Sequence, residues 1–184
     1  MYEMGEAKYK YFKNRAKRSD RKAMGRDYTN CLLSCLSKYA GKEIENQFVF
    51  SENSPVDFVW DSLSLGVECK RLIATVFLND GHTKAWLRSE FVNRFHDYAR
   101  ETGNILNIGV LCVTEKKWSS EVDSWLRNLG YYVIETGQID SDFERQKAKA
   151  VFFEKFTDIL LDVVENRALS RHAMVDSASL EYGA

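Results

Sequence analysis

Pro55-Val56-Asp57-Phe58-Val59-Trp60-Asp61-Ser62-Leu63-Ser64-Leu65-Gly66-Val67-Glu68-Cys69-Lys70 holds two strand-like runs, Val56–Trp60 and Leu65–Lys70. Asp61-Ser62-Leu63-Ser64 between them has the composition of a turn, so the pair reads as an antiparallel hairpin. Successive side chains of a strand point to opposite faces. Glu68 and Lys70 therefore share one face and Cys69 takes the other. Asp57 lies on the preceding strand, where the hairpin brings it beside Glu68. Two carboxylates and one ammonium then meet on a sheet whose flanking residues, Val56, Phe58, Val59, Leu65 and Val67, are apolar.

The surrounding chain extends this hairpin into a layered domain. Upstream, Glu43–Phe50 reads as another strand, and Asn53-Ser54-Pro55 separates it from the hairpin, which gives a three-strand meander. Before it, Gly25–Tyr39 carries Tyr28, Cys31, Leu32, Cys35, Leu36 and Tyr39 at the i, i+3, i+4 spacing of a helix, and Gly41 is a stop signal. Downstream, His82–Thr102 repeats that spacing with Trp86, Leu87, Phe91, Phe95 and Tyr98 or Ala99, and Gly103 ends it. Ile105–Thr114 is apolar on both faces, as an interior strand must be. A helix capped by Ser119 or Ser120 follows, running through Leu129 to Gly130. Tyr131–Glu135 is the next strand, and Asp142 to about Leu169 a long helix. Its Phe152–Val163 face is expected to pack on the chain's own sheet rather than form a dimer seam. The order predicts an α/β fold, with a mixed central sheet of about five strands flanked by helices. Residues 1–24 read as a basic segment, 25–169 as one domain and 170–184 as a loose tail.

The chemistry follows from the acids. Two carboxylates held close together repel, and one takes up a proton unless a cation intervenes. Oxygen donors favour Mg²⁺ or Mn²⁺ over zinc. Such an ion makes water a better nucleophile at neutral pH, and Lys70 can stabilise charge developing on a phosphate oxygen. The set suits hydrolysis of a phosphodiester. The bare spacing is weakly specific, because Asp97 with Glu115-Lys116-Lys117 mimics it. That mimic fails on context: Asp97 reads as helical and Glu115 lies past its strand. The competing reading of the hairpin is an ordinary cross-strand ion pair of Lys70 with an acid.

Val56-Asp57-Phe58-Val59 followed by Val67-Glu68-Cys69-Lys70 resembles the PD-(D/E)xK nuclease superfamily, and within it the archaeal Holliday-junction resolvases and related archaeal-virus nucleases. The resemblance covers roughly residues 25–114. It implies a restriction-endonuclease-like fold, Mg²⁺-dependent (or Mn²⁺-dependent) DNA cleavage and a homodimer. Carried over by position, Asp57 and Glu68 are metal ligands, the backbone carbonyl of Cys69 is a third, and Lys70 is the catalytic lysine. The proline stands two residues before the aspartate rather than next to it. Resolvases also place a glutamate on the first helix, where this chain has Thr29. Either Asp27 substitutes, or Glu43 or Glu45 does, or the metal shell is thinner. Some family members hold an iron–sulfur cluster on four cysteines near the C-terminus, and the four cysteines here lack that clustering. The alternative reading is a catalytically inactive DNA-binding protein on a nuclease scaffold.

Composition bounds these readings. The 184 residues are 45% hydrophobic, 13% aromatic and 29% charged, with one Pro and ten Gly. That fits one domain and excludes disordered and collagen-like chains. No apolar run reaches a membrane span, and the charged N-terminus is unlike a signal peptide, so an intracellular protein is expected, cytoplasmic or in a host cell if viral. Residues 1–26 hold nine basic and three acidic side chains, although the whole chain carries a net charge of −1. Lys17, Arg18, Arg21, Lys22 and Arg26 of this block, with Arg71, are candidate phosphate contacts. Lys84, Arg88 and Arg94, with Arg71, are basic residues near the site that are expected to line a DNA groove, though none stands out alone. No Walker or GxGxxG motif is present, so no nucleotide cofactor is expected. His82, His96 and His172 are scattered. Cys31, Cys35, Cys69 and Cys112 lack zinc spacing and read as buried hydrophobes, with Cys69 and Cys112 able to pair if their strands are neighbours.

Overall fold

The structure, a computed structural model, describes residues 25–35, 48–49, 55–60, 63–73 and 75–182, with side chains described in 25–35, 55–60, 63–73 and 75–166. Lys17, Arg18, Arg21, Lys22, Glu43 and Glu45 lie outside the described residues, as does most of the expected first strand.

Within them the chain is mixed α/β. Residues 25–33 are helical (α1). Strands β1 (Phe48–Val49), β2 (Phe58–Trp60) and β3 (Leu65–Lys70) follow. Next come α2 (Asp80–Leu87), a π-helical turn (Arg88–Val92) and α3 (Asn93–Thr102). The chain continues through β4 (Ile108–Val113), α4 (Ser120–Asn128), β5 (Tyr131–Glu135) and α5 (Asp142–Tyr182). The sheet order is β1-β2-β3-β4-β5, with β1 a two-residue edge. The β1–β2 and β2–β3 pairings are antiparallel, and β3–β4 and β4–β5 are parallel. The parallel crossovers bury β3 and β4 on both faces, the usual fate of strands covered by helices.

Alternation along the strands splits the core into two layers. Leu65, Val67 and Cys69 of β3 and Val110 and Cys112 of β4 face α1 and α5. There they pack on Tyr28, Cys31 and Leu32 and on Ala148, Phe152 and Phe156. The Tyr28 hydroxyl and Thr136 Oγ1, 2.7 Å apart, tie α1 to the end of β5. Leu111 and Val113 face the other way, onto Leu87, Phe91 and Phe95. Gly66 and Gly109 are register partners on that second face. A Cβ on Gly66 would stand 2.7 Å from a Phe95 ring carbon, and one on Gly109 would strike the Tyr131 ring. Only glycine at both positions lets the Phe95 and Tyr131 rings lie flush on the sheet.

The second helical segment begins with Asn79 as its N-cap, accepting from the His82 amide, and ends on Gly103 in the left-handed region. Among its buried residues, which also include Val92 and Tyr98, Thr83, Leu87, Phe91 and Phe95 recur every four positions. A straight α-helix rotates such a stripe by about 40° per step. The π-turn takes up that drift: the Asn93 amide reaches back to Arg88 O, and the apolar stripe stays on the sheet.

Three expectations need correction. The fourth strand starts at Ile108, and Ile105 is 73% exposed, because the chain uses residues 104–107 to turn from α3 back onto the sheet. The last helix does not stop near Leu169 but runs to Tyr182. The apolar stripe fades after Val163, yet residues 142–182 contain neither Gly nor Pro, so nothing local ends the helix. Cys69 and Cys112 do stand opposite each other on neighbouring strands, but both are free thiols. Hydrogen bonding to Cys112 and burial hold the Cys69 thiol well above its ordinary pKa, and so neutral.

Candidate functional site

The β2–β3 ladder pairs Trp60 with Leu65, Val59 with Gly66 and Phe58 with Val67. The same register carried one step further sets Asp57 opposite Glu68. The backbone ladder ends there, and side chains replace it. The Asp57 amide donates to Glu68 Oε2 at 3.0 Å, and the Cys69 amide donates to Asp57 Oδ2 at 2.8 Å. Each acid thus closes the partner strand's open end. Both acids reach the same spot because the hairpin register, rather than any single residue, fixes it.

Glu68 lies on the face of α2 and α3, with its side chain 3% exposed. Its Oε1 is 3.4 Å from Lys70 Nζ and 3.6 Å from Arg94 Nε. Lys70 Nζ also stands 3.6 Å from Glu90 Oε2, and Arg94 Nη2 stands 3.5 Å from the same oxygen. Asp57, Glu68 and Lys70 are therefore brought together as the hairpin reading expects, and two further charged residues join them. Sequence reasoning missed Glu90. The available signal was its i, i+4 relation to Arg94, each one residue before the buried Phe91 and Phe95.

Burial raises the Glu68 carboxyl from its ordinary 4.5 to about 7, with Asp57 adding repulsion and Lys70 and Arg94 opposing it. Burial also raises Asp57, against the Cys69 amide hydrogen bond and the two cations. Two acids shifted upward in one place are the electrostatic mark of a site short of positive charge.

That shortage supplies a test of fit for a divalent ion. Asp57 Oδ1 receives no hydrogen bond from a described residue, whereas Oδ2 is committed to Cys69. All nearby donors are oxygens, the chemistry preferred by Mg²⁺ and Mn²⁺. Among the described residues no group of three or more His, Cys, Asp or Glu side chains converges for a metal. An ion at this point would be met by the two acids, so the residues fit a thin protein shell completed by water.

Other candidates fall elsewhere. Asp27 is bound by Arg145 of α5 through both oxygens, at 2.8 and 2.7 Å. It belongs to α1, which packs on the Cys69 face, so the expectation that it joins the metal shell is not met. Thr29, at the expected glutamate position, is buried and donates to Gly25 O. Arg71 bonds Asp140 at 2.5 Å with its side chain 7% exposed, so it is not displayed as a free phosphate contact. Arg26 is exposed. Lys84 and Arg88 lie over the Trp125 ring, 5.6 and 5.0 Å from its centroid. The mimic motif is dispersed: Asp97 pairs with Arg100, and Lys116 pairs with Asp123. His82 Nδ1 accepts from the Leu78 amide, a helix-start contact, and His96 is exposed. Trp86, Trp118 and Trp125 pack against the second core layer, and Trp60 against the first. Among the described residues no helix is long and apolar enough to cross a membrane.

Compared with protein-family profiles, with curated proteins and with solved structures, the chain matches none.

Proposed function

We propose that this chain is a metal-dependent endonuclease that hydrolyses DNA phosphodiester bonds, of the PD-(D/E)xK type on a restriction-endonuclease-like fold. The observation that carries the reading is the reciprocal pair of bonds between Asp57 and the Glu68–Cys69 segment at the splayed end of a hairpin. The element order supports it: helix, antiparallel three-strand unit, helix, then a parallel strand beside β3. DNA is the partner in this reading and a homodimer the assembly, whose twofold symmetry presents two sites to two strands.

Asp57, Glu68 and the Cys69 carbonyl would hold Mg²⁺ or Mn²⁺. When bound, such an ion supplies charge neutralisation and a more acidic water. The chain's own groups do the rest. Asp57 fixes the Cys69 main chain, and Glu68 fixes the Asp57 main chain, so neither acid is free to wander. Lys70, anchored on β3 and only partly exposed, presents an ammonium to the non-bridging oxygens of a phosphate, where negative charge grows during attack. The apolar layer under the site, Val59, Leu111, Phe91 and Phe95, keeps water away from the far side and strengthens these interactions.

One observation favours a second reading, a DNA-binding protein on this scaffold without turnover. Lys70 and Arg94 already approach Glu68 Oε1, and the Asp57 amide occupies Oε2, so the buried acid has partners without a metal ion. A cleavage panel separates the two. Four-way junction, flap, linear, plasmid and single-stranded DNA, with RNA as a further arm, are incubated with and without Mg²⁺ or Mn²⁺. The nuclease reading expects metal-dependent products, which fall about 10²–10³-fold in Asp57→Asn and Glu68→Gln. Equal cutting by both variants and wild type overturns it. Salt-sensitive binding without products selects the second reading.

A further inference from the structure

Lys70, Glu68, Arg94 and Glu90 form a closed ring of alternating charge, with neighbouring contacts of 3.4, 3.6, 3.5 and 3.6 Å. The two acids in it are held very differently. Glu68 is buried and accepts a 3.0 Å hydrogen bond from the Asp57 amide. Glu90 is 40% exposed at its side chain, and no hydrogen bond from a described residue reaches its carboxylate. Its hold on Lys70 and Arg94 is by long ion contacts alone, and such contacts at a solvated position are weak.

Arg94 does not depend on that carboxylate for its place. Its Nε donates to the main-chain oxygen of Glu90 at 2.9 Å, so the π-turn itself fixes the guanidinium. Lys70 keeps its 3.4 Å contact with Glu68. If the Glu90 side chain swings into solvent, two cations remain in position with their outer sides uncovered. The vacated point lies between an ammonium and a guanidinium, and had held a single negative charge. A phosphodiester carries one negative charge and presents two non-bridging oxygens, which suits one ammonium and one forked guanidinium.

We propose that Glu90 is a displaceable counter-ion: its carboxylate occupies the seat of a nucleic-acid phosphodiester between Lys70 and Arg94, and the incoming phosphate replaces it. This rests on the nuclease reading of Asp57, Glu68 and Lys70, and it assigns Arg94 as a phosphate-binding residue and Glu90 as its internal competitor. Glu90 then lowers affinity for any phosphodiester and keeps the two cations from capturing stray anions.

The test uses the full chain with a single-stranded DNA of about ten nucleotides, in chelator and at low salt, followed by fluorescence anisotropy. Glu90→Gln is expected to bind about three- to tenfold more tightly than wild type, and Arg94→Gln more weakly by a similar factor. The double variant is expected to bind like Arg94→Gln, because the gain needs the guanidinium. Asp97→Asn, which removes one half-buried acid elsewhere on α3, controls for net charge and is expected to gain much less. As a second readout, the ¹⁵N signal of Arg94 Nε should move on titration with dimethyl phosphate, at lower concentration in Glu90→Gln than in wild type. A Glu90→Gln gain no larger than the Asp97→Asn control overturns the proposal. So does a gain that survives loss of Arg94, or an Arg94 signal that dimethyl phosphate leaves in place in both proteins. The nuclease reading fails separately. Metal-dependent cleavage without an Arg94-dependent gain sinks the counter-ion alone, and the gain without cleavage sinks catalysis alone.

Discussion

Cys69 and Glu68 are neighbours on one strand, yet they look onto opposite kinds of surroundings. On the Cys69 side the sheet is closed by α1 and α5, the Cys69 thiol is neutral, and its one described acid on α1, Asp27, is matched by a guanidinium through both oxygens. That hydrogen-bonded partner holds the Asp27 carboxyl below its ordinary 3.8. On the Glu68 side, burial and a second acid push a carboxyl up to about 7 even with two cations within 4 Å. The contrast teaches how to tell a structural ion pair from a poised site. The number of nearby cations does not decide it. The Asp27 pair lowers its acid's pKa, whereas burial leaves Glu68 raised, as the nuclease reading expects of a site that takes up a cation.

The sharpest way to break this contrast is through pH. Between 4.5 and about 7 the folded chain keeps a proton on Glu68 that the unfolded chain has released. Stability in chelator therefore falls as pH rises across that window and levels off above it. The loss is up to about 3 kcal/mol, and Asp57, shifted in the same direction, adds to it lower in the range. Glu68→Gln removes the Glu68 share. Urea midpoints at pH 4.5 and pH 8 should differ clearly less in the variant than in wild type, and equal differences would show that Glu68 titrates normally.

The opposite face gives the smaller effect. Asp27→Asn breaks a half-exposed pair, so the expected cost at neutral pH is within about 1 kcal/mol. Because the Asp27 pKa is lowered, its contribution is present at neutral pH and fades only as pH falls below 3.8. Metal-dependent cleavage is expected to be unchanged in this variant. A large loss of cleavage would place Asp27 in the site after all, contrary to its pairing with Arg145.

The hairpin and its acids were legible because strand periodicity and turn composition are local properties. Register then put Asp57 against Glu68 without help from distant residues. The interior position of β4 was legible from residues apolar on both faces. Glu90 was not, because its relevance depends on the π-turn that keeps Phe91 and Phe95 on the sheet, and no single residue announces that turn. Asp27 misled for a related reason. A helix places an acid on a face, but which partner meets it is set by α5, more than a hundred residues later. The extent of α5 was misjudged because hydrophobic spacing reports packing, while backbone propensity permits the helix to continue through a stretch without Gly or Pro.

Manganese binding by titration calorimetry at pH 8, comparing wild type with Asp57→Asn, Glu68→Gln and Asp27→Asn, bears most directly on the two acids of the hairpin. Loss of an outer supporting group commonly weakens a metal site by about 10–100-fold, so loss of either ligand should cost at least that much. The expected result is saturable binding in wild type and Asp27→Asn, and binding weakened at least about tenfold in the other two. Equal affinity in all four proteins, or no binding in any, contradicts it.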